Sequence, residues 1–256
     1  MLANRLIPTL LLKDGRLVKT VQFDKIRDVG NPVTAAKIYD AQGVDELLFL
    51  DITASRQKRD IAINIISHIA EECFMPLTAG GGIRDCDDIR KLLMNGVDKV
   101  SINTTAVRDP DFISEAAKKF GSQCIVVGID FKVTPDGSYK VYIDGGRTRT
   151  DLDPLAWAKE VQQRGAGEIF LYSIDKDGTM SGYELNLIRT IADAIEIPLI
   201  ACGGAGKLED FVEVIKTGHA SAAAAASIFH FTDQSPIKVR SSMRQAGLNV
   251  RDIYDS

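Results

Sequence analysis

The chain has 256 residues, of which 45% are hydrophobic and 26% charged, and its formal net charge is −4. This is ordinary globular usage, and the length suits one α/β barrel domain spanning residues 1–256. The acidic balance argues against a general nucleic-acid binder, so any anion site must be local, built from backbone N–H groups and a few cations.

At the N-terminus the apolar run of MLANRLIPTLLLKDG is broken at Lys13 and Asp14. It is too short for a signal segment or a membrane span, which points to a cytoplasmic protein. The first strand is expected at Leu6–Leu12, followed by a long polar loop, Lys13–Asp28, able to fold over a ligand as a lid. A helix over Val33–Gln42 leads to a strand at Glu46–Asp51 and a helix at Arg59–Glu72. The third strand, Pro76–Ala79, runs into Gly80-Gly81-Gly82, then a helix at Asp87–Asn95. The fourth, Lys99–Asn103, precedes a helix at Pro110–Phe120.

The fifth strand, Cys124–Asp130, is followed by Phe131–Arg147, where a Pro-Asp-Gly turn between alternating residues predicts an inserted hairpin. A helix at Pro154–Arg164, a strand at Glu168–Ile174 and a helix at Tyr183–Ala194 come next. A strand at Pro198–Cys202 and a helix at Leu208–Thr217 follow. The last strand, Ser221–Ser227, is alanine-rich and is assigned by position against its helix propensity, before a final helix at Pro236–Ala246. Eight apolar strands alternating with helices imply a parallel sheet buried on both faces, and that number predicts a closed (β/α)₈ barrel. The four cysteines, Cys73, Cys86, Cys124 and Cys202, form neither a CxxC pair nor a zinc spacing. They read as reduced, and neither a metal nor another cofactor is expected.

The two halves of the chain resemble each other. PLTAGGGIRDCDDIRKLLMNG, from Pro76, parallels PLIACGGAGKLEDFVEVIKTG, from Pro198, and the run Asp45–Leu50 parallels Gly167–Tyr172. A barrel of two joined half-barrels predicts two equivalent anion sites across its mouth. Glycine turns after the third and seventh strands, at Gly82 and Gly203, let backbone N–H groups approach an anion. Asn103 and Thr104, and Ala226 and Ser227, close the neighbouring strands beside those turns.

Asp130 ends the fifth strand and is either a strand-end cap or a general acid or base raised by partial burial. Asp177 and Gly178 either cap a turn or touch a phosphate or hydroxyl. Asp51 and Lys19 also fall at the mouth. At the opposite end, Arg5, Glu46, Lys99 and Glu168 each begin a strand. They form either a stabilising plug or two ion pairs meeting over the axis.

These residues resemble the cyclase subunit of imidazole glycerol phosphate synthase, a histidine-biosynthetic glutamine amidotransferase. The motifs KDGRLVK, FLDITAS, GGGIRD, DKVSIN, FGSQCIVV, DKDGTMSGY, GGAG and ASIFHF carry the likeness over nearly the whole chain. The resemblance implies a glutaminase subunit docked on the bottom face, with Asp98 on that face. It makes Arg5, Glu46, Lys99 and Glu168 an ammonia gate and puts Lys19 on a mobile loop. It seats one phosphate near Gly82, Asn103 and Thr104, and the other near Asp177, Gly178, Gly203, Ala226 and Ser227.

The catalytic pair departs from the family pattern. Asp130 matches one of two expected aspartates, but Leu11 stands in the other's place, and Tyr172 replaces a small threonine. The opening RLIPTLLLKDGR is similar to paralogues from bacterial surface-polysaccharide clusters, thought to pass ammonia to a sugar amidotransferase. Two functions follow: a cyclase-type lyase working through Asp130 on a phosphorylated sugar-type substrate, or a channelling partner that passes ammonia on.

Overall fold

A computed structural model describes residues 3–54 and 63–252. Its elements run β1 (Arg5–Lys13), β2 (Arg16–Lys19), β3 (Arg27–Gly30), α1 (Pro32–Ala41), β4 (Leu47–Asp51), α2 (Ile63–Glu72), β5 (Leu77–Gly80), α3 (Cys86–Met94) and β6 (Lys99–Ile102). There follow α4 (Thr104–Arg108), α5 (Asp111–Phe120), β7 (Ile125–Val133), β8 (Tyr139–Ile143), β9 (Thr148–Arg149), α6 (Pro154–Gln163) and β10 (Glu168–Ser173). The chain continues through α7 (Leu185–Ala192), β11 (Leu199–Cys202), α8 (Leu208–Lys216), β12 (Ala222–Ala225), α9 (Ser227–Phe231) and α10 (Pro236–Gln245). The start of the helix expected at Arg59–Glu72 lies outside the described residues.

Eight parallel strands close on themselves in the order β1-β4-β5-β6-β7-β10-β11-β12 and back to β1, giving a (β/α)₈ barrel. Helix starts follow side-chain capping. Asn31 accepts from the Thr34 amide and Asp153 from that of Ala156, each with proline at the next position, while Asp85 accepts from Asp87 and Asp88. Such caps satisfy amides that the first turn leaves unpaired.

Alternation along each strand splits the core in two. Ile7, Leu48, Val126, Phe170, Tyr172 and Ile200 fill the barrel with Ala222 and Ala224, while the outward residues pack under the helices. The alanine strand β12 is therefore explained by packing. Its small side chains share the interior with the two rings of β10, and that site overrides helix propensity.

The expected hairpin after the fifth strand is present: β7 runs on to Val133 and pairs antiparallel with β8. The loop Lys13–Asp28, expected to be a polar lid, is itself a hairpin, the first in the chain. Leu11 pairs with Val18 and Lys13 with Arg16, and β2 pairs in turn with β3. Asp14 at φ 49° and Gly15 at φ 77° make the two-residue Asp-Gly turn that favours such pairing.

The half-barrel repeat is visible atom by atom. A Cβ on Gly81 would lie 2.1 Å from the Asp51 carbonyl oxygen, and one on Gly203 would lie 2.6 Å from that of Ser173. Asn103 (φ −128°, ψ −78°) and Ala226 (φ −134°, ψ −63°) likewise introduce twin five-residue helices.

Candidate active site

The N-terminal end of the barrel is crossed by a closed ring of four charges. Arg5 Nη1 reaches Glu46 Oε2 at 2.8 Å and Glu168 Oε1 at 3.1 Å, and Lys99 Nζ reaches the same two oxygens at 2.8 and 3.0 Å. Each side chain starts a barrel strand or immediately precedes one and points inward. Glu46, only 2% exposed, also accepts a 2.6 Å hydrogen bond from the Thr78 hydroxyl. Asp98 is exposed at this end, where one carboxylate oxygen accepts from the Leu77 amide at 2.8 Å. Phe74, 91% exposed on the connection into β5, and Met94, 79% exposed at the last position of α3, lie at the same end.

At the C-terminal end a cavity opens over the first half of the barrel. Leu11, Asp51, Gly82, Asn103, Thr104 and Asp130 line it, with Phe170 and Tyr172 as one wall. Strands β1 and β7 stand four places apart in the ring of eight, so Leu11 and Asp130 approach the axis from opposite sides. Burial, then the nearby Asp177 charge, pushes the Asp130 carboxyl up to about 7, with Asn103 opposing by a hydrogen bond. Asp130 makes no pair with Lys132, whose ammonium lies over the Tyr142 ring. Asp51 is turned into its own loop, accepting from the Thr53 and Ala54 amides.

Two cations at the cavity, Lys13 and Arg147, were not singled out in the sequence. Lys13 ends β1 and Arg147 follows the β8 turn, so only the folded hairpins bring them to the mouth. Neither has an acidic partner among the described residues.

The second half of the mouth is covered. Lys19, expected on a mobile loop, ends β2 and is 3% exposed, its ammonium 2.5 Å from Asp177 Oδ1. The same oxygen accepts from the Tyr172 hydroxyl at 2.7 Å, while Oδ2 accepts from Thr20 Oγ1 at 2.6 Å and the Phe23 amide at 3.2 Å. Asp177 is thus an anchor for the first hairpin. Gly178 fits beneath it because a Cβ there would lie 2.5 Å from the Thr20 carbonyl oxygen. Gly203, Ala226 and Ser227 are buried and do not line the cavity, and the Ser227 hydroxyl has no partner among the described residues.

Burial and the Asp177 charge hold the Tyr172 phenol well above its ordinary range, so it serves as a donor. The same two causes push the Cys202 thiol up to about 12, which removes it as a nucleophile. His230 is lowered to about 4 by burial and by Lys19, and is neutral at physiological pH.

A family model described as histidine biosynthesis protein matches residues 5–235. The chain belongs to this family. Histidine biosynthesis family enzymes include isomerases and cyclases built on this barrel. The matched span takes in the charged ring from Arg5 onward, both glycine turns and Asp130.

No helix among the described residues is long and apolar enough to cross a membrane.

Proposed function

We propose that the protein is the barrel subunit of a two-component glutamine amidotransferase. In this reading a glutaminase docks on the bottom face, ammonia enters through the ring of Arg5, Glu46, Lys99 and Glu168, and a phosphorylated sugar-type ligand sits at the mouth. The observation that carries the reading is the ring. Two acids and two bases meet over the barrel axis with both signs balanced, at a cost in desolvation that a simple surface would not incur. Phe74 and Met94, both exposed at the same end as Asp98, are large apolar side chains that a docked partner would cover.

Two fates for the ammonia follow from the mouth. A cyclase-type lyase would work at Asp130, which titrates near neutrality and suits proton transfer. Leucine cannot exchange a proton, however, and losing one of two acid–base groups costs about 10²–10⁴ in rate. Leu11 and the covered second half therefore favour a diverged channelling partner, which activates the glutaminase and passes ammonia to a synthetase that amidates a surface-polysaccharide sugar.

The test is reconstitution of the barrel with the glutaminase and the sugar synthetase, following ammonia in bulk against ammonia in product. Lys99→Ala should raise the share lost to bulk. A variant that leaks no more than the parent would reduce the ring to a structural plug.

A further inference from the structure

Outside the barrel mouth, a cleft of about 370 Å³ lies between the first hairpin, helix α1 and the segment that leads from α9 into α10. Leu17 of β2 and Val29 of β3 form one part of its wall, and Ile38 of α1 and Phe229 of α9 another. The Tyr39 ring meets that of Phe229 edge-on, with centroids 6.1 Å apart. Among the described residues, no side chain that is charged at neutral pH lines the cleft, because His230 is lowered to about 4.

Four polar side chains line the same cleft with hydrogen-bonding capacity unused. Tyr39 is only 5% exposed, yet its hydroxyl has no partner among the described residues, and burial keeps the phenol protonated. The amide oxygens of Gln42, just past α1, and Gln234, just before α10, are buried and unpartnered. The neutral His230 ring makes no hydrogen bond among the described residues either, so one of its nitrogens remains an acceptor. Gln42 closes α1 through its backbone N–H, which leaves its side chain without a structural task. Polar atoms buried without partners are costly, and a fold tolerates a cluster of them where a ligand completes their bonds.

We propose that this cleft binds an uncharged aromatic molecule carrying amide or ring N–H donors, at a site separate from the barrel mouth. The two amide oxygens and the imidazole nitrogen are acceptors and call for donors. A lining without charge has nothing to hold an ion taken out of water. Ring edges at Tyr39 and Phe229 favour an aromatic body. Its occupant would rest on β2, two positions before Lys19, and would steady the hairpin that Lys19 ties to Asp177. Binding here depends neither on a glutaminase nor on a phosphate at the mouth.

The experiment is titration of the intact chain with benzamide, followed by saturation-transfer NMR, with methyl benzoate and benzoate as comparators. Benzamide should bind with a Kd of about 1 mM, as fits so small a ligand. Methyl benzoate keeps the ring and lacks the donor, and should bind about fivefold more weakly. Benzoate should not displace benzamide. Gln42→Leu and Gln234→Leu keep the bulk and remove the acceptor, and each should weaken benzamide about fivefold. If one of them does not fold, the other carries the same test. Ala35→Trp, on the partly exposed face of α1 that lines the cleft, should abolish binding. No benzamide binding to the parent, or binding that survives Ala35→Trp, would overturn the site. Equal affinities for benzamide and methyl benzoate, or displacement by benzoate, would overturn the ligand class.

Discussion

At neutral pH the Asp130 carboxyl is close to half protonated, since burial and the Asp177 charge push it up to about 7. A raised folded-state value means that the carboxylate is disfavoured in the fold. The contribution is fully present below the ordinary carboxylate range and is lost as pH rises through about 7. Asp130→Asn should therefore stabilise the protein at pH 8, by up to about 4 kcal/mol, and hardly at pH 4. Thermal melting at the two pH values checks this, and equal shifts at both would contradict the assigned burial.

In the proposed function, Leu11 is the other residue on which the chemistry turns. Restoring a carboxylate with Leu11→Asp should raise any residual ammonium-dependent turnover of the bisphosphorylated histidine precursor, by up to about 10²-fold. The same change places a charge where leucine is 3% exposed, so it should also lower stability. A stable Leu11→Asp protein with no gain in rate would mean that the mouth lacks more than a proton-transfer group.

Among the elements, the eight barrel strands and most of the helices were readable from apolar runs, glycine turns and proline-marked helix starts. The first hairpin was not, although its signal was present. Asp14-Gly15 is a two-residue turn, and polarity around it masked the pairing of β2 with β1. The brace over the mouth had no local signal, because Lys19 and Asp177 lie 158 positions apart and meet only when the barrel closes. Lys13 and Arg147 escaped notice for the same reason.

Gly81 tests the packing of the glycine turns. Its φ of +101°, and the 2.1 Å that would separate an added methyl from the Asp51 carbonyl oxygen, predict that Gly81→Ala costs about 3 kcal/mol or more. Gly137, at φ +83° but in open space, should cost only about 1 kcal/mol as alanine. Urea denaturation compares them, and similar losses would show that the turn after β5 yields easily.

For the whole molecule, the charged ring ties strand starts from four parts of the chain into one end of the barrel. It was readable because each charge stands at the head of a barrel strand, where inward direction follows from alternation. Glu46→Ala would leave Arg5 and Lys99 to share Glu168 and would free the Thr78 hydroxyl. It should cost about 3 kcal/mol, since a partly buried charge without its partner is expensive even where the intact pair adds little.

In the proposed function, the ring, Asp98 and the exposed Phe74 and Met94 make the bottom face the docking surface for the glutaminase. The most direct measurement is glutamine hydrolysis by the glutaminase of the same organism, with and without the barrel. A barrel subunit of a glutamine amidotransferase should bind that glutaminase and raise its turnover, and Asp98→Lys should weaken both effects while leaving the barrel folded. A glutaminase that neither binds this chain nor responds to it would contradict the account.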